Sequence, residues 1–392
     1  MRRLLLLVLA VLPVLAAAPA DAGRMTVRVP AFDVPPRSNR EVCVFVPLPA
    51  KADELDIGEV VMRNRGGNEQ FGTHHLIVYA WTGDLGPLAA VKGAVIDDTA
   101  CLNFGDGNPT NLQIVATTQG VNGVEKMPDG TALRLETGAL GTGKKRAVGL
   151  VLNSHWINGS DTTQTARAKV TFITARKAKV KRQLKPIFEV LANGPLRVPP
   201  GQIEKTGAAW GPGLPDLGFI LGGSEMPTEA ACVTMIIGHM HRRGTLFTAK
   251  FHASDGTETP LYSNTRYSDP PTKRFDPPML VRKGESIGYE CTHDNATDTR
   301  LGCEEEAGVT PGRTVIDALF ATGTISVDGS AKLCHTPGPN PEECPTGDGR
   351  FTGNCVPANL VFGFLSDDDM CILPGYYFDA DLTAPPGEEC RL

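Results

Sequence analysis

Beyond its first two dozen residues, this 392-residue chain has no apolar segment long enough to cross a bilayer, no sustained helical periodicity and no long basic run. Each absence excludes something. A spanning helix needs about 20 predominantly apolar residues, and a helical bundle needs a 3.6-residue apolar repeat. A formal net charge of -6 without blocks of cations argues against nucleic acid as the main partner. The one basic stretch, Arg176-Lys177-Ala178-Lys179-Val180-Lys181-Arg182, alternates with apolar residues and reads as a solvated strand face at a domain edge. None of the ten cysteines stands in C-x-x-C spacing, so there is no zinc-ribbon or redox motif. No short internal repeat is found.

What is there points to β structure. The 43 glycines and 31 prolines punctuate many short apolar runs, such as Val42-Cys43-Val44-Phe45-Val46 and Ala168-Lys169-Val170-Thr171-Phe172-Ile173. Strands at this spacing build sandwiches or jelly rolls. Met1-Arg2-Arg3 followed by an apolar run from Leu4 reads as a cleavable secretory signal over residues 1–22, which makes the expected location secreted or periplasmic. The remainder suits two domains, 23–185 and 186–392, with the boundary around Gln183 to Pro186. Residues 299–360, rich in Cys, Pro and Gly, read as an insertion in the second domain.

An even cysteine count in an exported chain implies disulfides. Cys43 and Cys101 are the only two before residue 232, so if both pair within the first domain they pair with each other.

The chemistry-bearing residues are two histidine clusters, His74-His75 in the first half and His239-Met240-His241 in the second, each beside an apolar strand-like run. Side chains alternate along a strand, so His239 and His241 share a face and can grip one ion. Adjacent histidines cannot do so on a regular strand. His74 and His75 therefore require a strand end or a bulge. His155, after Leu150-Val151-Leu152-Asn153-Ser154, completes a three-imidazole set suited to copper or zinc. Met370, in the polar setting Asp367-Asp368-Asp369-Met370-Cys371, offers a soft thioether that favours Cu(I) over Zn(II). Asp367, Asp368 and Asp369 lack the alternation of a calcium loop and read as a solvated turn. The lone histidines His252, His293 and His335 read as surface or structural residues. Asn158-Gly159-Ser160 and Asn295-Ala296-Thr297 fit the glycosylation sequon.

In this order, Thr73-His74-His75-Leu76, Ser154-His155-Trp156, Gly238-His239-Met240-His241, and Asp369-Met370-Cys371 with Tyr376-Tyr377 resemble the copper type II, ascorbate-dependent monooxygenases. Val198-Pro199-Pro200-Gly201 is similar to that family's entry into its second domain. The resemblance covers roughly residues 40 to 380 apart from the insertion. It implies two tandem jelly-roll β-sandwich domains, each holding one copper, facing each other across a solvent-filled interdomain cleft. His74, His75 and His155 would hold the electron-storing copper; His239, His241 and Met370 would hold the catalytic, oxygen-binding one. The implied reaction hydroxylates an aliphatic C–H bond of a small or short-chain organic substrate, with O2 and ascorbate or another one-electron reductant. It also implies a Cys291–Cys371 disulfide that positions Met370. Cys232–Cys390 is a further expected pair, leaving Cys303, Cys334, Cys344 and Cys355 to pair within the insertion.

The chain departs from the peptide-amidating branch. Ile237 stands where that branch has an arginine, and Ile372 and Pro374 where it has an asparagine and a tyrosine, so a more apolar pocket is expected. Two other functions compete: a non-catalytic copper-binding or copper-delivery protein on the same fold, and a three-histidine zinc hydrolase that leaves Met370 unexplained.

Overall fold

The computed structural model describes residues 23–36, 38–48, 54–66, 71–82, 91–97, 101, 112–118, 120–136, 147–214, 227–267, 270–297, 301–303, 343–345, 351–357, 359–362 and 369–392. The expected signal segment, Cys334, His335, Asp367 and Asp368 lie outside them.

The first half forms β1 (Arg24–Val34), β2 (Ser38–Pro47), β3 (Glu54–Arg65), β4 (Phe71–Trp81), β5 (Ile96–Asp97), β6 (Leu112–Thr118), β7 (Asn122–Lys126), β8 (Thr131–Glu136), β9 (Gly149–Asn158) and β10 (Gln164–Thr174). Then follow β11 (Arg182–Glu189), β12 (Arg197–Val198), β13 (Ile203–Trp210), β14 (Ala230–Ile236), β15 (His239–Met240), β16 (Gly244–His252), β17 (Glu258–Asn264), β18 (Lys273–Arg282) and β19 (Ser286–Asp294). The chain ends with β20 (Leu301–Cys303), β21 (Glu343–Pro345), β22 (Phe351–Pro357), β23 (Leu360–Val361) and β24 (Cys371–Asp379). No α-helix occurs among the described residues, and the chain is all-β.

Alternation decides which face of each strand is buried. In β1, Val27 and Val29 point in while Arg28 points out; in β10, Ala166, Ala168, Val170 and Phe172 point in. These pack against Val42 and Val44 of β2, Leu76 and Val78 of β4 and Leu150 and Leu152 of β9, making one sandwich core. A second core joins Ala231, Val233, Phe247, Ile287, Leu373 and Tyr377 between β14–β24 and the β13-β19-β16-β17 sheet. Fully burying a Leu, Val or Phe side chain contributes about 1.5–3 kcal/mol, so each half has ample means to hold its sheets together.

The halves are not beads on a linker. One sheet runs β1-β10-β3-β8-β11-β24-β14-β18 through both. The boundary expected at residue 185 falls inside β11, which pairs in parallel with β8 and antiparallel with β24. Cys232, Met235, Tyr376 and Phe378 of the second half belong to the first core, and the Tyr376 hydroxyl donates to the Val115 carbonyl at 2.9 Å.

Three disulfides form the expected pairs: Cys43–Cys101, Cys232–Cys390 and Cys291–Cys371, with sequence separations of 58, 158 and 80. Closing loops of this length removes roughly 4–5 kcal/mol of chain entropy from the unfolded state in the simplest account. Their presence suits an oxidising compartment. No helix among the described residues is long and apolar enough to cross a membrane. In the insertion, Cys303 of β20 is the register partner of Cys355 of β22.

Two surface readings change. The basic stretch is no strand: Lys177–Lys179 is an exposed 3-10 turn between β10 and β11. Neither sequon is displayed. Asn158 is buried, its amide nitrogen donating to the carbonyls of Val34, Pro35 and Thr162, and Asn295 is buried, donating to the Val198 carbonyl at 2.8 Å.

Candidate metal centre

Register sets up the first histidine group. Glu41 on β2 pairs with His155 on β9, which pairs with His75 on β4, so three polar residues lie in one row across the sheet. Their neighbours Val42, Leu76 and Trp156 fill the sandwich core, so this row points the other way, towards the second half. Between Thr73 and His75 the β4–β9 register shifts, and His74 is the extra residue. This is the bulge that adjacent ligands demand. It turns His74 onto the same side: ring centroids lie 5.2 Å from His75 and 5.1 Å from His155, and His75 lies 5.2 Å from His155. One ligand atom from each of the three lies within 4.8 Å of the others.

The tautomer of His75 follows from its partners. Nε2 faces two acceptors, Asn153 Oδ1 at 2.6 Å and Glu41 Oε1 at 3.2 Å, so Nε2 carries the proton and Nδ1 keeps its lone pair. Asn153 Nδ2 also donates to Glu41 Oε1 at 2.8 Å, which fixes the amide orientation. Burial would push the Glu41 carboxyl up, but the hydrogen bond from His75, the positive charge of His155 and His75 when protonated, and the Asn153 amide together bring it down to about 2.

The second group is assembled by β15 and β24. His239 pairs with Ile372 and Met240 with Cys371, so Met370 enters beside the histidine strand. Gly238 lets the chain entering β15 pass close to β16: a methyl group there would lie 2.5 Å from the Phe247 ring. Met240 is fully buried in the second core, which leaves His239 and His241 on the opposite side, 5.3 Å apart. Asp369 ties the ligand-bearing segments together, accepting the backbone N–H of His241 at 2.9 Å and of Met370 at 2.7 Å through Oδ1. Behind it, Oδ2 lies 3.2 Å from His293 Nδ1, and His293 Nε2 lies 3.0 Å from the Thr206 hydroxyl. Asp369 is therefore no solvated turn residue; it is fully buried. Cys291, His293 and Cys371 also cluster, but the two cysteines are bonded to each other and cannot ligate.

The two groups touch. The His74 and His241 ring centroids are 5.1 Å apart, edge to face, so five imidazoles form one contiguous set drawn from both halves. At this contact the solvent-filled gap implied by the family resemblance is absent, because the shared β11–β24 sheet and the Tyr376–Val115 bond pull the halves together. Open space lies to one side instead, a cavity of about 330 Å3 reached by His75, His239, His241 and Met370.

Burial holds three of these rings neutral. It pushes His74 well below the ordinary histidine value, helped by the charges of His241, His155, His75 and His239 when these are protonated. His239 falls well below it for the same reason, with His241 and His75 adding to the effect. His155 falls to about 4, burial and the His75 and His241 charges outweighing the opposing charge of Glu41. Neutral imidazole is the metal-binding form. His74 Nε2 is buried without a hydrogen-bond partner, which is costly unless a ligand fills the vacancy. A metal bound at about 2.0–2.1 Å needs imidazole nitrogens roughly 3.3 Å apart, and those of His74, His75 and His155 lie within 4.8 Å of one another. The donor chemistry thus fits a transition metal.

The cavity wall carries Ile237, Ile372 and Pro374. It also carries Glu125 and Arg274, which sequence reasoning missed. Glu125 is buried, its Oε2 has no hydrogen-bond partner, and burial pushes its carboxyl up to about 7 against the opposing effects of Arg274 and Tyr376. Glu41 was legible only as a lone acid before an apolar run. Asn153 was legible as a polar residue two before His155, hence on the same face. His252 stays at the surface, 3.3 Å from Glu258.

Comparison with known proteins adds no identity. No family model matches the chain, and no curated protein does. Among solved structures it is similar to the exported protein XepA of PBSX, at 9% identity and a TM-score of 0.14 over 69% of this chain and 86% of that one. It is also similar to the T=3 Penaeus vannamei nodavirus, at 10% identity and a TM-score of 0.15 over 74% of this chain and 97% of that one. At such scores neither bears on what the chain does.

Proposed function

We propose that this protein is an exported copper monooxygenase that binds two coppers per chain and hydroxylates an aliphatic C–H bond. The observation that carries this reading is the convergence of His74, His75, His155, His239 and His241 beside a cavity that Met370 also lines. Bound copper would supply one-electron redox chemistry, so that O2, two electrons from ascorbate or a similar reductant and two protons convert R–H to R–OH and water. The resemblance in motif order supports the assignment of His74, His75 and His155 to the electron-storing metal and of His239, His241 and Met370 to the oxygen-binding one.

The protein residues have distinct tasks. Asn153 and Glu41 hold the His75 ring with Nδ1 available. Asp369 holds His241 and Met370 at fixed separation. Ile237, Ile372 and Pro374 present an apolar wall that suits an aliphatic or aromatic substrate and limits water near the metals.

Metal analysis with copper EPR tests the reading, on the wild type and on His239→Ala. Two coppers falling to one, with ascorbate-dependent O2 consumption lost, is the expected result. Zinc alone in the purified protein would favour the hydrolase instead. Tight binding of two coppers with no O2 consumption across a panel of C–H substrates would favour storage or delivery.

A further inference from the structure

Charge is spread unevenly over this molecule. The chain as a whole is acidic, at -6. Yet cross-strand register on the first sheet sets Arg28 opposite Lys169, Lys169 opposite Arg63 and, two residues along, Arg167 opposite Arg65. The alternating positions Val27, Val29, Met62, Asn64, Ala166, Ala168 and Val170 are buried, so the five cations share the outward face. Neighbouring strands lie about 4.8 Å apart, and like charges directly opposite one another repel. Nothing in the described fold offsets this. Arg63 Nη1 donates to the neutral Asn122 side chain at 3.1 Å, and among the described residues none of the five forms an ion pair.

Arg24 and Lys126 extend the same face towards the end of β10, beyond which comes the exposed turn Lys177–Lys179. Three carboxylates border it: Asp33, which accepts from the Thr165 hydroxyl at 2.9 Å, Glu59, the register partner of Lys126, and Asp129, 3.8 Å from the Lys126 ammonium. From the Arg65–Arg167 row to Arg24, opposite Ile173, is six residues along β10, roughly 20 Å at the usual strand rise. The width is about two strand spacings.

We propose that this strip docks an acidic polysaccharide, a linear chain bearing carboxylate or sulfate groups. A partner that supplies counter-charge turns a repulsive ladder into a favourable contact, and an elongated strip suits an extended polymer. Other polyanions fit less well. Between the cations stand Thr26, Thr171, Val61 and Ile173, with no aromatic ring on which a nucleobase could stack and no Trp, Phe or Leu to enter a bilayer. Three disulfides also suit a compartment outside the cytosol, where such polysaccharides occur and nucleic acid is scarce. This inference is independent of the copper reading.

The test uses the full-length, metal-loaded protein and four probes: heparin, polygalacturonate, duplex DNA, and vesicles of phosphatidylglycerol with phosphatidylcholine. Binding to heparin or polygalacturonate is expected at 50 mM salt. By analogy with counterion release from nucleic acid, five contacts would weaken it about 500-fold at 200 mM. The double variant Arg63→Glu, Lys169→Glu should lose at least tenfold in affinity, with metal content unchanged and thermal stability equal or higher because the ladder is relieved. The neutral pair Arg65→Gln, Arg167→Gln should show a smaller loss in the same direction. No binding to either polysaccharide at 50 mM, binding indifferent to these variants, or tighter binding to duplex DNA or to the vesicles would each overturn the proposal.

Discussion

His75 is fixed through its own ring, by Asn153 and Glu41, whereas His241 and Met370 are fixed through their backbone amides, by Asp369. Surroundings differ less: His74, His75, His155, His241 and Met370 are all buried, and both groups reach the same cavity, the first through His75 and the second through His239, His241 and Met370. A ring held at Nε2 has one tautomer and one orientation, which suits a metal whose geometry must not change. The shared Asp369 carboxylate instead fixes where the His241 and Met370 segments stand, so the second group depends on one acid as the first depends on the Asn153–Glu41 pair.

Removing a ligand tests the comparison most severely. His155→Ala should abolish metal binding at the first group, leaving one metal per chain by elemental analysis. Ascorbate-dependent turnover should fall by more than the ~100-fold that loss of an outer hydrogen-bond partner costs. Retention of both metals would remove His155 from the set.

Acid comes next. The folded value of His155, about 4, lies below its ordinary 6.5, so the folded state resists protonation there. Its stabilising contribution in the metal-free protein is complete above pH 6.5 and is lost as pH falls towards 4. That loss is on the order of 3 kcal/mol for His155, with His74 and His239 acting in the same direction. Urea denaturation of metal-free protein between pH 7 and 4 should follow that slope, and copper should abolish much of it. A flat profile would contradict the buried, neutral cluster.

Outer partners should have smaller and selective effects. Asp369→Asn is expected to weaken the second metal about 10- to 100-fold and leave the first untouched, and Asn153→Leu to do the reverse, both read by competitive metal titration. Equal effects on both metals would mean that the two groups behave as one. The mildest change is Glu125→Gln, which should alter neither metal affinity and instead change the KM of substrates. Because the Glu125 carboxyl is raised to about 7, its contribution to folding stability is present at low pH and lost as pH rises from about 4.5 through 7, as urea denaturation would read. The glutamine variant should lack that component of the pH profile.

Strand alternation and residue adjacency made much of this site legible. If His74 and His75 are to share one metal, adjacency demands a strand end or a bulge, and β4 has a bulge between Thr73 and His75. The all-β architecture was readable from short apolar runs between turn residues. What escaped was anything that depends on who faces whom across strands far apart in sequence. Asp369 looks like one of three surface aspartates until β15 and β24 pair and put the His241 amide against it. The sequons at Asn158 and Asn295 look accessible until their amides are found spanning three and one backbone carbonyls, respectively. The domain boundary looked like a break because the strand it falls in, β11, finds its second partner almost two hundred residues later, in β24.

That late strand has a thermodynamic consequence. Tyr376 and Phe378 are needed by the first core, Leu373 and Tyr377 by the second, and all four stand within one nine-residue strand, β24. Neither half can melt alone without tearing β24 from the other, so the two unfold as a single cooperative unit. A calorimetric scan should therefore contain one heat-absorption peak where a chain of two independent domains would give two.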